Sequence, residues 1–173
     1  MPEAARYSAT ERLRDGRTVE IRAQRPTDQA ELLAAVARSS DQSRYRRFFG
    51  AKRDFSDKEV AFFLNIDFIN HVALVAVAKE KDRAAIVAGA RYIVERPGTA
   101  EVAFAVIDEY QGQGLGSALL RRLTALARDA GVKEFTAAVL PDNASMLKVF
   151  EKSGLQPRLK RAPGEVHVTL QLS

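Results

Sequence analysis

Gly112, Gly114 and Gly116 stand at alternate positions between an apolar run, Val102–Ile107, and an amphipathic run, Leu115–Ala130. The order reads as strand, glycine turn, helix. Without Cβ atoms the turn lets backbone press against a ligand, and the free N–H groups of the helix start converge outward. The helix dipole adds partial positive charge there, so a phosphate is the expected guest. A second group able to do chemistry lies just upstream: Glu101 opens a strand otherwise made of Val102, Ala103, Phe104, Ala105, Val106 and Ile107. An apolar setting would make that carboxylate a better base, whereas a position just past the Pro97-Gly98 turn would simply face it to water. The residues alone leave both readings open.

Spacing narrows what the turn can hold. A P-loop needs Lys and Ser/Thr directly after its last glycine, and Gly116 is followed by Ser117-Ala118. A dinucleotide fingerprint is G-x-G-x-x-G; the pattern here is G-x-G-x-G, and the one candidate for a ribose-binding acid, Asp142, follows a proline. A glycine helix start that binds nothing is the remaining bland alternative.

Gln111-Gly112-Gln113-Gly114-Leu115-Gly116 resembles the acyl-CoA-binding signature Q-x-x-G-x-G/A of the GNAT acetyltransferase superfamily. Asn143–Leu155 is similar to that family's other hallmark helix, N-x-x-A/M-x-x-x-Y/F-x-K-x-G-F/L, and Ala100-Glu101-Val102-Ala103-Phe104 matches the A-E-x-x-F motif of its protein-acetylating members. The resemblance runs from about Arg17 to the C-terminus. It implies an α/β GNAT fold, a central mixed sheet of six to seven strands with helices on both faces. It implies acetyl-CoA as acetyl donor, held by the amides of the turn, with Phe104, Val106, Ile107, Gln111, Gly112, Gln113, Gly114, Leu115, Gly116, Ser117, Asn143 and Phe150 as the cofactor-binding set. It also tips Glu101 toward the role of general base.

The chemistry so implied needs a neutral amine, and an amine of pKa ~10.4 is unprotonated about once in 2,500 molecules at pH 7. A base is therefore required. Many members of the family place a Tyr in the hallmark helix to protonate the departing thiolate, but that position is Phe150 here. Either no acid is needed, since a parent thiol of pKa ~8.5 gives a tolerable leaving group, or Tyr110 or Tyr92 substitutes. His71 could be a second base or an amine-binding residue, although a lone His at a strand start is more often structural, and His167 is discounted likewise. Arg121 and Arg122, one turn inside the helix, would meet either a phosphate or solvent.

The rest of the chain must position these groups. At 173 residues it suits one domain, 1–173, with disorder confined at most to the termini, including residues 1–9. There are no cysteines and only two histidines, which excludes thiolate nucleophiles and argues against a metal site. Met1–Ala9 lacks an apolar signal core and no run approaches ~18 apolar residues, so a cytoplasmic, non-membrane protein is expected. The net charge of +5 owes much to Arg12, Arg14, Arg17, Arg22, Arg25, Arg38, Arg44, Arg46, Arg47, Lys52 and Arg53. An anionic partner is suggested, but no nucleic-acid recognition motif appears, and a solvated basic surface is favoured.

Asp15-Gly16 predicts a tight turn joining Thr10–Arg14 to Arg17–Arg25 as an antiparallel hairpin. A helix should follow from Pro26-Thr27-Asp28 to about Arg38, capped by Thr27 or Asp28, with Leu32, Leu33 and Val36 at helical spacing. Ser39–Gly50 reads as a short helix or turn carrying Tyr45, Phe48 and Phe49, and Ser56–Glu59 as a capping box for a helix to about Ile66. His71–Ala78 and Ala85–Val94 are strands about an exposed turn, followed by Ala100–Ile107, the glycine turn and a helix ended by Gly131. Leu115, Leu119, Leu123, Leu126 and Ala127 form that helix's buried stripe. Glu134–Leu140 is a strand, Asn143–Ser153 a helix stopped by Gly154, and Leu155–Arg161 with Glu165–Leu172 a last hairpin.

Ser40–Phe49 and the later Asp67…His71–Ala76 resemble a narrower branch, the bacterial protein lysine acetyltransferases that modify acyl-CoA synthetases, whose members often carry a fused regulatory domain that these 173 residues lack. That likeness implies a protein lysine as acceptor, with an acyl-CoA synthetase as a partner, in a monomer or homodimer. Tyr45, Phe48 and Phe49 taken singly read as core anchors. The rival acceptor is a small polyamine or antibiotic amine, which a basic entrance would repel if polycationic. A rival of another class is a non-catalytic acyl-CoA-binding sensor, and a remote one is nucleic-acid binding.

Overall fold

The computed structural model describes residues 3–38 and 65–172. Tyr45, Phe48, Phe49, the basic residues between Arg44 and Arg53, and nearly all of the helix expected to end at Ile66 lie outside the described residues.

The first hairpin forms as its Asp15-Gly16 turn predicts, with β1 (Ser8–Arg12) antiparallel to β2 (Thr18–Ala23) and Gly16 at φ +93°. A short turn at Glu3–Arg6 precedes it. After a 3-10 turn at Pro26–Asp28, α1 runs Gln29–Arg38. Next come β3 (His71–Glu80), β4 (Arg83–Arg96) and β5 (Thr99–Val106), each antiparallel to the one before. The predicted five-residue turn after Ala78 shrinks because β3 and β4 pair as far as Glu80↔Arg83. Helix α2 (Leu115–Asp129), β6 (Glu134–Val139), α3 (Ala144–Glu151), β7 (Arg158–Ala162) and β8 (Glu165–Gln171) complete the chain.

All eight strands form one sheet in the order β1-β2-β3-β4-β5-β6-β8-β7. The expected six to seven strands is thus an undercount, since both terminal hairpins join the central sheet instead of standing apart. Among the described residues only β5 and β6 run parallel. A dinucleotide-binding fold, built on a run of parallel strands, is thereby excluded.

Cross-strand register assigns side chains to faces, because partners in a pleated sheet point the same way. Glu11 pairs with Val19, and it ion-pairs with Arg121 and Arg122 on α2, so Val19, Ile21, Leu74, Ala90, Tyr92, Val102 and Phe104 look toward α2. Arg22 and Glu101 look the other way. Arg22 reaches Asp28 at the head of α1, so the two helices cover opposite faces, and both pack on β4. The α2 side is mainly apolar: Leu115, Leu119, Leu123 and Ala127 are buried, with Thr124 among them, against Phe135, Leu170 and the inner strands. Leu126 is only partly buried, and Leu33 on α1 is 42% exposed although its spacing put it on the apolar stripe.

Thr27 and Asp28, the expected caps, lie in the 3-10 turn that leads straight into α1. Asp28 sits at the third position of that turn and reaches back, its Oδ2 accepting from the Arg25 amide at 2.7 Å. Both its oxygens also accept from Arg22, at 2.9 Å each. Burial opposes the charge on Asp28, but these hydrogen bonds and the guanidinium outweigh it and hold the carboxyl below its usual range. Removing one partner would strand a buried charge, so Asp28→Ala is expected to cost about 3 kcal/mol, read from urea unfolding at pH 7. Because the folded pKa is the lower one, the contribution is complete above the unfolded value of ~3.9 and is lost as pH falls through the folded value. The gap between Asp28→Ala and wild type should therefore close in acid.

Candidate functional site

The sheet opens at one seam. β5 and β6 share only Thr99↔Glu134, Ala100↔Phe135 and Glu101↔Thr136, although β5 continues to Val106 and β6 to Val139. Past Glu101 the strands part, since β5 stays registered on β4 up to Ala88↔Val106 while β6 follows β8. The wedge between them leads to a cleft of about 280 Å³ whose walls are Phe104, Ala105 and Val106, the glycine turn, Arg14 of the first hairpin, and one side of α3. Among the described residues, Arg14, Lys148 and Lys152 line the cleft and no carboxylate does. The cleft is built for an anion.

The glycines serve two different needs. Gly112 and Gly114 take φ +76° and +86°, which L side chains resist, and Gly114 is the N-cap of α2 with no side chain to cover the first amides. Gly116 has no such backbone; a Cβ there would lie 3.5 Å from Val149 Cγ2, an ordinary contact across the α2–α3 approach. An alanine would therefore fit at 116.

Most of the expected donor-binding set lines the cleft: Phe104, Val106, Gln111, Gly112, Gly114, Leu115, Gly116, Ser117 and Asn143. Ile107, Gln113 and Phe150 do not, and each holds a lining residue instead. Ile107 is buried, its amide donating to the Val87 carbonyl, and so fixes the end of β5. Gln113 turns toward the first hairpin, its carbonyl accepting from the Arg14 amide and its Oε1 from the Asp15 amide. Phe150 is 1% exposed and meets Phe104 edge-on, with ring centroids 6.0 Å apart. Gln111 itself braces the turn, its Nε2 donating to the Val106 carbonyl at 3.0 Å. The Asn143 side chain caps α3 through the Met146 amide.

Glu101 stands on the last shared rung before the strands part, on the face away from α2. Strand alternation sends its buried neighbours Ala100 and Val102 to the other side, and Glu101 itself is exposed. Of the two settings its neighbours left open, the water-facing one is found: the apolar residues surround it in sequence, not in space. Across β4 the same row continues through Ile93 to His71, roughly 10 Å from Glu101 by strand spacing. His71 Nε2 lies 2.9 Å from Arg91 Nη1, and because a guanidinium only donates, the ring nitrogen is the acceptor in that contact. The loop before it is held by Asp67, whose Oδ1 accepts from the amides of Ile69, Asn70 and His71 at 2.9 Å each. Some burial opposes its charge, but the three amides keep the Asp67 carboxyl below its ordinary range.

Four further candidates leave the site. Arg121 and Arg122 bind Glu11, and Arg122 also the Tyr7 hydroxyl, tying α2 to the first hairpin instead of facing a phosphate. His167 is exposed on β8 beside Glu165, 3.2 Å away. Asp142 lies in the turn before α3 and not in the cleft lining. Neither tyrosine is a ready acid. Tyr92 is buried on the α2 side against Phe135, and burial with the nearby Asp67 charge pushes its pKa up to about 12. Tyr110 lines the cleft, but its hydroxyl donates to Glu80 at 2.8 Å; burial and that bond raise its pKa.

Several lining residues escaped the sequence. Ser145, Lys148, Val149 and Lys152 recur at helical spacing after Asn143, a face that periodicity could have exposed. Arg14 is 98 residues from Gly112, whose carbonyl it bonds, and no local signal announces it.

A family model described as "Acetyltransferase (GNAT) family" matches residues 34–155. The chain is 33% identical over 144 residues to acetyltransferase Pat of Mycolicibacterium smegmatis, covering 82% of this chain and 42% of that protein. It thus spans less than half of that relative's length. Acetyltransferase PA5475 of Pseudomonas aeruginosa is 31% identical over 137 residues, 79% of this chain and 74% of the other. The crystal structure of the GNAT domain of S. lividans PAT matches with a TM-score of 0.87 at 34% identity, over 99% of each chain.

Proposed function

The chain belongs to the GNAT acetyltransferase family, and from that premise we propose that it transfers an acetyl group from acetyl-CoA directly to a primary amine, that of a protein lysine. The observation that carries the reading is the wedge: a glycine turn with three cations about it at one end, and the Glu101 carboxylate on the last rung at the other. Acetyl-CoA supplies an activated thioester. The turn amides and cations bind its phosphates, and the backbone edge of β5 left without a strand partner beyond Glu101 suits an amide-bearing arm. Glu101 takes the proton of the incoming ammonium, directly or through water, on the open face of the sheet.

The departing sulfur needs no tyrosine in this scheme. Phe150 has no proton to give, Tyr92 is walled off and Tyr110 is engaged with Glu80, while a thiolate whose parent pKa is ~8.5 leaves without help. Tyr110→Phe is therefore expected to keep turnover within about threefold and to lower stability by about 1 kcal/mol through the lost bond to Glu80. Steady-state rates and thermal melts of the same preparation check both halves.

The acceptor rests on segments 40–49 and 67–76, which resemble the synthetase-modifying branch. Incubation of the protein with labelled acetyl-CoA, an acyl-CoA synthetase and a panel of small amines tests it. Label on a synthetase lysine is expected. Label on a polyamine or antibiotic alone would move the reading to small amines, and tight acetyl-CoA binding with no amine-dependent CoA release would make the chain a sensor.

A further inference from the structure

We propose that Arg14, at the tip of the first hairpin, is a phosphate-binding residue of the donor site, pairing its guanidinium with the diphosphate of acetyl-CoA. The proposal rests on the acetyl-CoA reading above and adds a wall to the site that the glycine turn and α3 do not supply.

The hairpin is fastened to the turn at several points. The Arg14 amide donates to the Gln113 carbonyl at 3.2 Å, the Asp15 amide to Gln113 Oε1 at 3.1 Å, and Arg14 Nη1 to the Gly112 carbonyl at 3.2 Å. Beside them the Arg17 guanidinium lies 4.1 Å from the centre of the Tyr110 ring and pairs with Asp15 at 2.6 Å, so the tip has a fixed seat. Arg14 lines the cleft together with Gly112 and Gly114, and its Nε would lie 3.6 Å from a Cβ built on Gly114. The guanidinium thus crosses the very turn whose amides face the anion. One of its five N–H donors is used on Gly112, and a planar fork with donors to spare is the side chain best matched to phosphate oxygens. A carbonyl is a weak claim on a guanidinium; an anionic oxygen in the cleft is a stronger one.

Calorimetric titration of acetyl-CoA and of its analogue lacking the 3′-phosphate into wild type, Arg14→Ala, Arg14→Gln and Arg14→Lys separates the alternatives without needing an acceptor. Gln keeps a donor for the Gly112 carbonyl but no charge, whereas Lys keeps the charge. Arg14→Ala and Arg14→Gln are expected to bind acetyl-CoA ~10- to 100-fold more weakly, with Arg14→Lys recovering most of the loss and melting temperatures little changed. The same penalty should appear with the analogue. Wild-type affinity in Arg14→Gln would reduce Arg14 to a brace for the turn, and a penalty that vanishes with the analogue would move the contact to the 3′-phosphate; either result overturns the proposal. Wild type that binds no acetyl-CoA would remove the donor reading and this proposal together, whereas tight wild-type binding with an indifferent Arg14→Ala would remove this proposal alone.

Discussion

Glu101→Gln is expected to lower turnover by ~10²-fold or more at neutral pH while acetyl-CoA still binds as tightly. The substitution keeps shape and deletes only the capacity to accept a proton. Glu101 stands on the face away from α2 and is not among the residues that line the donor cleft. The deficit should also depend on pH in a defined direction. Without a base, rate follows the fraction of amine already neutral, which rises about tenfold per pH unit up to ~10.4. Variant and wild type should therefore converge in alkali. Steady-state rates from neutral pH upward, with calorimetry on the variant, make the check. Equal turnover at neutral pH would take Glu101 out of the mechanism.

The second large effect is at the turn. Gly114→Val should weaken acetyl-CoA binding by about 10²-fold, because a β-branched residue at φ +86° is a backbone outlier, even though its Cβ would meet Arg14 Nε at an ordinary 3.6 Å. The first amides of α2 would swing away from the anion they are to hold. Gly116→Ala is the control, with an ordinary φ and an ordinary contact to Val149, and should cost no more than about threefold. Titration of both variants tests the contrast, and equal losses would mean that crowding in the cleft, not turn conformation, governs affinity.

These two sites were also the most legible in the chain. Gly112 and Gly114 were readable because a backbone that only glycine adopts leaves its mark in adjacent letters. Glu101 stood out as one charge in an apolar run, yet its neighbours could not choose between an apolar and a water-facing setting: alternation places neighbours in sequence on opposite faces, and only cross-strand register tells which face is dry. Element order followed from turn residues such as Asp15-Gly16, Pro97-Gly98 and Pro163-Gly164, all of which fall where the chain reverses. Strand ends did not, because pairing partners extend a strand beyond its own apolar letters, as Glu80↔Arg83 shows. The role of Phe150 was misjudged for a related reason. Helical spacing assigns it to an inward face but cannot say whether that face meets the ligand or the layer beneath, and Phe104 intervenes. The acidic reach-back of Asp28 and the carbonyl grip of Arg14 depend on contacts between elements and had no local sign.

The seam between β5 and β6 has one more consequence. With three rungs joining β1–β5 to β6–β8, the sheet is close to two sheets hinged at one corner, and α2, crossing from β4 and β5 to α3, is the strap across the gap. A guest lying in the gap would lend its own amides as missing rungs, so the molecule that is consumed in each turnover would also, while it stays, be the mortar between the halves.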